Sequence, residues 1–398
     1  MKKLLAIALT VFFAACSSDN GDTPPVNEEP VAACVFNGDV TLTTQAEVDA
    51  FVTTGYCMVK NLTIGPYSGF SDITNLNTLL SLTEVENDLV IQNVVFITNL
   101  EGLNNIIKVG NNLIIQGNTS LTDMTALSSL KSLAELSVIE NKSLVNLNGL
   151  QGLTTLYDAR IEKNKNLQNL SGLENIKKIY GQINIKNNPQ YFLTGLDGLE
   201  EVYSLTIDSS FINSFSGLSN LKSCGILTLI DCPDIKSFEG LQNVMLSGLS
   251  LQYTGIESFA GLENVNYFYT LDISNNAHIT TLNGLDNLEF IQYLNISDND
   301  ALTSLAGLSS VKTIGYLPQK GQLYIDNNNE LTSLSGLENI TTFDAGVRIF
   351  QNSALKDFCI LTPFIASGII TEDELEMIYF NGYNPAYLDF ANGNCSIN

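Results

Sequence analysis

The amino-acid sequence predicts a mostly β solenoid of about 13 coils of about 23 residues each. Three observations predict it: a Gly-Leu pair recurs at nearly constant spacing, a short apolar-x-apolar segment lies between successive pairs, and an Asn follows most of these segments. A period of this length indicates repeated units that each contact only their neighbours. We therefore expect one long repeat domain rather than several globular ones.

The Gly-Leu pair is the most regular feature. A related Ala126-Leu127 pair fills the one gap, and the successive steps are 24, 23, 23, 26, 19, 23, 21, 23, 23 and 29 residues. The glycines of these pairs are Gly102, Gly149, Gly172, Gly198, Gly217, Gly240, Gly261, Gly284, Gly307 and Gly336.

Each apolar-x-apolar segment predicts a short strand with two side chains inward and one outward. Eight clear copies begin at Leu89, Leu113, Leu136, Ile183, Leu205, Leu271, Leu294 and Leu323. Five weaker copies begin at Leu62, Ala159, Leu227, Leu249 and Val347. Together they give the thirteen coils.

An Asn three residues beyond the strand predicts a buried ladder, because an amide side chain can both donate to and accept from the backbone of neighbouring coils. We interpret this column as structural. The asparagines are Asn118, Asn141, Asn164, Asn188, Asn276, Asn299, Asn328 and Asn352, and Ser210, Cys232 and Thr254 replace them in the middle coils.

The first residues predict a secretory signal at 1–15, because Lys2 and Lys3 precede a short apolar run that ends in small residues. The segment before Cys16 resembles a bacterial lipobox, which implies a lipidated Cys16; an ordinary cleaved signal is the alternative. Residues 16–33 are polar and Pro-rich, so we expect a disordered tether there. Its acidic start resembles the export signal of Bacteroidetes surface lipoproteins.

The charge balance excludes several partners. Without Lys2 and Lys3 the chain carries sixteen basic and 42 acidic residues, a formal charge of −26. Such a surface repels nucleic acid and anionic lipid headgroups, and no Lys/Arg cluster is visible in the sequence. We expect no nucleic-acid partner and membrane attachment through the lipid alone.

The unit from Leu331 to Ile340, after Leu323-Tyr324-Ile325-Asp326-Asn327-Asn328, resembles the leucine-rich repeat of receptor L domains, which Bacteroidetes surface lipoproteins carry in long arrays. The resemblance implies a right-handed parallel β-solenoid, which we place at 62–353.

Both ends of the solenoid are expected to be closed by small helical caps, at 34–61 and 354–398. Thr44 to Glu47 and Thr371 to Glu374 have the pattern of capping boxes, the second leading into 375–378. Six cysteines besides Cys16 allow fifteen pairings in an oxidising compartment. We expect the disulfides Cys34–Cys57 and Cys359–Cys395. For Cys224 and Cys232 we expect a third disulfide, with a free buried Cys232 as the alternative.

No catalytic constellation is recognisable, so we expect neither an enzyme nor a cofactor. His278 is the one histidine, which excludes a multi-His metal site. Acidic turns such as Asp298-Asn299-Asp300 lack the spacing of calcium loops, and Asx turns explain them better.

The exposed face of the predicted sheet is the expected binding surface. Its outward positions are Arg160, Glu162, Asn184, Lys186, Thr206, Asp208, Thr228, Ser250, Gln252, Asp272, Ser274, Asn295, Ser297, Tyr324, Asp326, Arg348 and Phe350. The candidate ligand-binding residues among them are Arg160, Lys186, Gln252, Asp272, Tyr324, Asp326, Arg348 and Phe350. Tyr324, Arg348 and Phe350 form the predicted patch, because Tyr and Arg anchor interfaces.

Two kinds of binding function follow. A protein ligand is favoured, as in an adhesion module, because a glycan-binding surface would favour a stripe of exposed aromatics and the chain has no Trp. Glycan capture and a structural role in the cell envelope are the alternatives. We expect an outer-membrane lipoprotein exposed at the cell surface.

Overall fold

A computed structural model describes residues 35–189, 191–316, 320–375 and 377–397. The predicted signal, Cys16, the tether and Cys34 lie outside the described residues. Within them the chain is mostly β, and its strands form one continuous sheet.

The strands are β1 (Val35–Leu42), β2 (Tyr56–Ile64), β3 (Glu84–Val85), β4 (Leu89–Gln92), β5 (Lys108–Val109), β6 (Asn112–Gln116), β7 (Glu135–Ile139), β8 (Thr155–Leu156), β9 (Asp158–Glu162), β10 (Lys178–Lys186), β11 (Glu201–Asp208), β12 (Ser223–Cys232), β13 (Met245–Thr254), β14 (Tyr267–Ser274), β15 (Phe290–Ser297), β16 (Thr313–Ile314), β17 (Gly321–Asp326), β18 (Thr342–Phe343), β19 (Ala345–Phe350) and β20 (Ile378–Tyr379). The helices are α1 (Gln45–Ala50), α2 (Thr362–Ala366), α3 (Glu372–Leu375) and α4 (Tyr387–Ala391). Short 3₁₀ turns lie at Phe51–Thr54, Asn77–Leu79, Thr125–Leu127, Ser216–Leu218 and Cys359–Leu361.

The predicted solenoid is confirmed. All thirteen predicted strands pair in parallel, each with the strand one coil away. The sheet also extends one strand beyond this array at each end, because β1 pairs with β2 and β20 pairs with β19. A second column of short parallel pairs, which the sequence analysis did not foresee, precedes the main strands at β3, β5, β8, β16 and β18 and at the beginnings of the long strands β10 to β15.

Alternation along each strand places the core inside the coils. In β6, Leu113 and Ile115 are fully buried while Ile114 is half-buried on the outer face. Leucines of the turns fill the rest of the interior, except that three neighbouring coils have the stacked rings of Phe215, Phe238 and Phe259. One continuous apolar core therefore runs through the solenoid.

The backbone at the Gly-Leu pair explains why a glycine recurs once per coil. It also corrects one predicted glycine. Gly172 has φ of +117°, and a Cβ there would lie 2.0 Å from the carbonyl oxygen of Leu147 in the preceding coil. The equivalent residue in the next coil is Gly195, with φ of +105°, and not the predicted Gly198. Two Gly-Leu pairs stand three residues apart here, and choosing the wrong one produced the irregular steps of 26 and 19 residues.

The predicted N-terminal capping box is present: the Thr44 hydroxyl accepts from the Glu47 N–H, and the Glu47 carboxylate accepts from the Thr44 N–H. Hydrogen bonds to the backbone and side chains of Thr43 and Thr44 lower the pKa of Glu47. Helix α1 packs Val48 into the end of the core. Cys57 is disulfide-bonded.

At the other end α3 packs against β19 and α2 packs against α4, and Cys359 and Cys395 form the predicted disulfide. The predicted helix at 371–378 is shorter than expected. It ends at Leu375, and Ile378–Tyr379 instead joins the parallel sheet as β20. In the described residues no helix is long and apolar enough to cross a membrane.

Candidate ligand-binding surfaces

The Asn column is a structural ladder, as predicted. Asn141 donates its Nδ2–H to the carbonyl of Ile115 at 2.8 Å, and its Oδ1 accepts the N–H of Asn118 at 3.2 Å. The ladder asparagines are completely or almost completely buried. Asn381 adds a rung that the sequence analysis missed, since its Oδ1 accepts the N–H of Asn352 at 3.1 Å.

The predicted disulfide between Cys224 and Cys232 is wrong, because both are free thiols. They lie on the same strand, β12, and the segment 226–232 alone spans about 20 Å at the rise of an extended strand. Burial raises the pKa of each thiol to about 12. Cys232 occupies a ladder position, with its Sγ 3.3 Å from the carbonyl oxygen of Ile230.

The predicted outward positions do lie on the outer face of the main sheet, spread over β9 to β19. At its N-terminal end Arg160 pairs with Glu162 at 3.2 Å, which leaves the guanidinium partly neutralised. Lys186 and Gln252 are half-buried and lie on separate coils. These three candidates are therefore not brought together with the others.

A polar network connects the C-terminal half of the face. The Asp272 carboxylate accepts from the Ser250 hydroxyl at 3.1 Å, from the Ser274 hydroxyl at 2.6 Å and from the Asn295 amide at 2.8 Å. Ser297 then donates to Asp326 at 2.6 Å. Asp272 and Asp326 therefore serve mainly to order their neighbours.

The predicted patch is brought together at the end of the sheet. The Arg348 guanidinium lies 5.3 Å from the centre of the Tyr324 ring, in the geometry of a cation–π contact. The Phe350 ring stacks on Tyr379 at 5.2 Å, and Tyr379 contacts Phe380 edge-on at 5.3 Å. We call these five residues the C-terminal patch.

Tyr379 and Phe380 were missed because the residues just before them, 375–378, were assigned to the predicted cap helix. Phe380 is 75% exposed and has φ of +57°, a conformation that a bulky residue adopts at a cost of about 1 to 2 kcal/mol. The equivalent residue of other coils, such as Lys163, shares this conformation, so the turn geometry of the solenoid imposes it.

A groove beside the patch has a volume of about 430 Å³ and is lined by Lys320, Gly321, Gln322, Tyr324, Gly346, Val347, Arg348, Asp373 and Met377. Asp326 lies on the same face. Burial raises the pKa of Asp326, while the hydrogen bond from Ser297 and the charge of Arg348 oppose the shift.

A row of exposed tyrosines was also missed. Tyr157, Tyr180 and Tyr203 occupy equivalent positions in three successive coils and are 58%, 56% and 64% exposed. Their constant spacing of 23 residues was the available signal. Lys178 lies 5.0 Å from the centre of the Tyr180 ring.

Three lysines that do not form a cluster in the linear sequence come together in the structure. Lys142, Lys163 and Lys165 line one recess of about 700 Å³ where the strands end. Turns from different coils supply them, so the linear sequence does not display the cluster.

The described residues contain no group of three His, Cys, Asp or Glu side chains placed to hold a metal ion. His278 is exposed in its turn.

No protein-family model and no curated protein matches the chain significantly. Among solved structures, it is similar to an internalin, inlF, from Listeria monocytogenes (17% identity, TM-score 0.36, covering 75% of this chain and 88% of that one). It is also similar to a leucine-rich repeat protein from Bacteroides eggerthii (13%, TM-score 0.40, 86% and 69%) and to TLR13 in a complex with ssRNA13 (15%, TM-score 0.30, 77% and 54%). The parallel pairing of successive coils defines the fold of this chain.

Proposed function

We propose that this protein is a non-enzymatic binding module that recognises a protein ligand through the exposed face of its parallel sheet, with the C-terminal patch as the main contact. One observation carries the proposal: two aromatic–aromatic contacts and an Arg–Tyr contact lie side by side at one end of the exposed face. Aromatic and Arg side chains anchor protein interfaces out of proportion to their number.

The polar network beside the patch supports this role. Asp272, Asn295 and Ser297 hold one another through hydrogen bonds, so this part of the face is ordered before a ligand arrives. Less conformational entropy is then lost on binding. A preorganised surface with an aromatic end suits a folded protein partner.

Photo-crosslinking tests the patch directly. Benzoylphenylalanine replaces Tyr324 or Phe350 in the purified protein. The protein is mixed with envelope and culture proteins and irradiated with ultraviolet light, and the crosslinked proteins are then identified. Phe96 is the matched control position, since it is an exposed aromatic residue outside both the C-terminal patch and the row of tyrosines. We expect one protein to be crosslinked from both patch positions and not from the control. Equal capture from all three positions would overturn the proposal.

The cellular setting is part of the same proposal. We infer that Cys16 is lipidated and that the domain acts in adhesion at the outer face of the outer membrane. Protease shaving of intact cells, with mass spectrometry of the released peptides, tests this. Peptides from the coils, with periplasmic control proteins intact, support surface display. Release only after lysis contradicts it and leaves a periplasmic scaffold as the better account.

Glycan capture is the alternative with a specific observation in its favour, because Tyr157, Tyr180 and Tyr203 form the exposed aromatic stripe that such a function requires. A glycan array separates the two functions. Binding that is lost in Tyr180→Ala and kept in Tyr324→Ala would favour the glycan reading.

A further inference from the structure

A second surface lies apart from the C-terminal patch, at the edge of the sheet where β7, β9, β10 and β11 end. Its recess of about 700 Å³ falls in the size range of small-molecule sites. Its lining includes Glu140, Lys142, Lys163, Lys165, Asn187 and Phe211.

The recess is positively charged in a strongly acidic protein. Lys142 and Lys165 each follow a ladder Asn of successive coils, so their backbones are separated by about 4.8 Å along the solenoid. Lys163 pairs with Glu140 at 3.2 Å, whereas in the described part of the chain neither Lys142 nor Lys165 takes part in an ion pair. The lining therefore carries three lysines and one glutamate, a net charge of +2 for an anionic ligand.

Backbone N–H groups at the recess already donate hydrogen bonds to the next coil. The N–H of Lys163 donates to the carbonyl of Lys186, and that of Asn187 donates to the carbonyl of Asp208, both at 2.9 Å. An extended peptide therefore finds no open strand edge here, and recognition must come from side chains.

An exposed aromatic pair stands at the recess, and Phe211 is the member of the pair that lines it. The Phe211 ring stacks on Tyr191, with centres 5.8 Å apart and planes inclined at 29°, and the two residues are 46% and 54% exposed. The segment 188–193 is one residue shorter than its counterpart 164–170 in the preceding coil. The repeat is therefore interrupted at the point where exposed rings stand beside lysines.

We propose that this recess binds an acidic saccharide, a carboxylated or sulfated sugar whose anionic groups contact Lys142 and Lys165 and whose ring packs on Phe211. Ammonium groups bind carboxylate and sulfate as point charges, and a flat aromatic face packs against the apolar face of a sugar ring. The proposal is independent of the protein-binding patch.

Isothermal titration calorimetry tests it with defined probes: an oligogalacturonate, a heparin-derived oligosaccharide, neutral maltohexaose, pentaglutamate and inorganic sulfate. The variants are Lys142→Ser with Lys165→Ser, and Phe211→Leu. Lys236→Ser with Lys312→Ser is the matched control, because it removes the same charge at exposed positions elsewhere. Thermal unfolding verifies that each variant is folded.

We expect at least one acidic saccharide to bind and its affinity to fall at least about tenfold in the recess double variant, since each charged hydrogen bond contributes about that much. The control pair should change affinity less than about twofold, and Phe211→Leu should weaken saccharide binding several-fold. Equal binding of pentaglutamate, equal loss in the control pair, or no binding of either acidic saccharide would each overturn the proposal.

Discussion

The ring of Phe238 lies parallel to the ring of Phe215 one coil away, with centres 5.9 Å apart and an angle of 6° between planes. Phe259 continues the stack at 5.7 Å on the other side. The preceding coils have Leu193 and Leu170 at the equivalent position, so three neighbouring coils replace a branched aliphatic with stacked rings. All three side chains are fully buried, and Phe238 lies between the other two rings.

Replacing Phe238 with Ala should lower the free energy of unfolding by about 3 to 5 kcal/mol, because it opens a cavity between two rings that cannot collapse onto each other. Phe238→Leu restores the side chain of other coils and should cost only about 1 kcal/mol. Urea denaturation followed by circular dichroism measures both. Phe96→Ala, at a 61% exposed position, is the control, and an equal loss there would contradict the prediction.

The Asn ladder should be costly to interrupt. Asn141→Ala removes the partner of the Asn118 N–H and of the Ile115 carbonyl, and both groups stay buried. Leaving them unpaired should cost about 2 to 4 kcal/mol. Asn166→Ala, in an exposed turn of the next coil, should change stability by less than about 0.5 kcal/mol. Similar denaturation midpoints for the two variants would show that the ladder is not stabilising.

Gly172 should not tolerate a side chain. Its φ of +117° is open essentially to Gly, and a Cβ would meet the backbone of Leu147. Gly172→Ala should therefore lower stability by about 3 kcal/mol or more. Gly346 is the matched control, since a Cβ there meets nothing within 4 Å and Ala should be neutral. The melting temperatures of the two Ala variants, measured side by side, decide the matter.

The two buried thiols should be unreactive in the folded protein. With pKa values of about 12, Cys224 and Cys232 carry almost no thiolate at pH 8. N-ethylmaleimide should leave both unmodified in the native state and modify both in urea without a reductant, as read by peptide mass spectrometry. Modification that requires a reductant would mean that they form disulfides.

The same pKa values set an alkaline limit on stability. Each folded-state value lies above the ordinary value of 9.0, so the contribution of the neutral thiol is complete below pH 9 and is lost as the pH rises toward 12. In Cys224→Ala the fall in stability above pH 9 should be shallower than in the wild type. Parallel slopes would indicate that Cys224 ionises as readily when folded.

The sequence predicts the repeating parts well because burial imposes a local pattern. Leu113 and Ile115 must alternate with an outward residue, and Asn141 must stand at a fixed distance after its strand. Where two local patterns compete, sequence is insufficient. Gly195 and Gly198 both precede Leu, but only Gly195 has the positive φ of Gly172 and contacts Leu170 as Gly172 contacts Leu147.

The candidate surfaces depend on stacking between coils and were less predictable. Tyr324 and Arg348 were found because both stand at marked strand positions. Tyr379 was missed because its strand has only two residues and lies beyond residue 353, where the predicted solenoid ended. Lys142 and Lys165 are 23 residues apart and become neighbours only through the stacking of two coils.

The C-terminal disulfide should stabilise the end of the solenoid and little else. Cys359 and Cys395 enclose 36 residues of chain, a loop whose closure is worth about 4 kcal/mol to the folded state. The double variant Cys359→Ala with Cys395→Ala should speed hydrogen exchange in α2, α4 and β20, because the Cys395 carbonyl accepts the N–H of Phe358 and ties the last residues to the final turn. Coils β6 to β9 should keep their exchange rates, since each coil contacts only its neighbours. Faster exchange throughout the array would contradict this, because it would mean that the cap controls the unfolding of the whole solenoid.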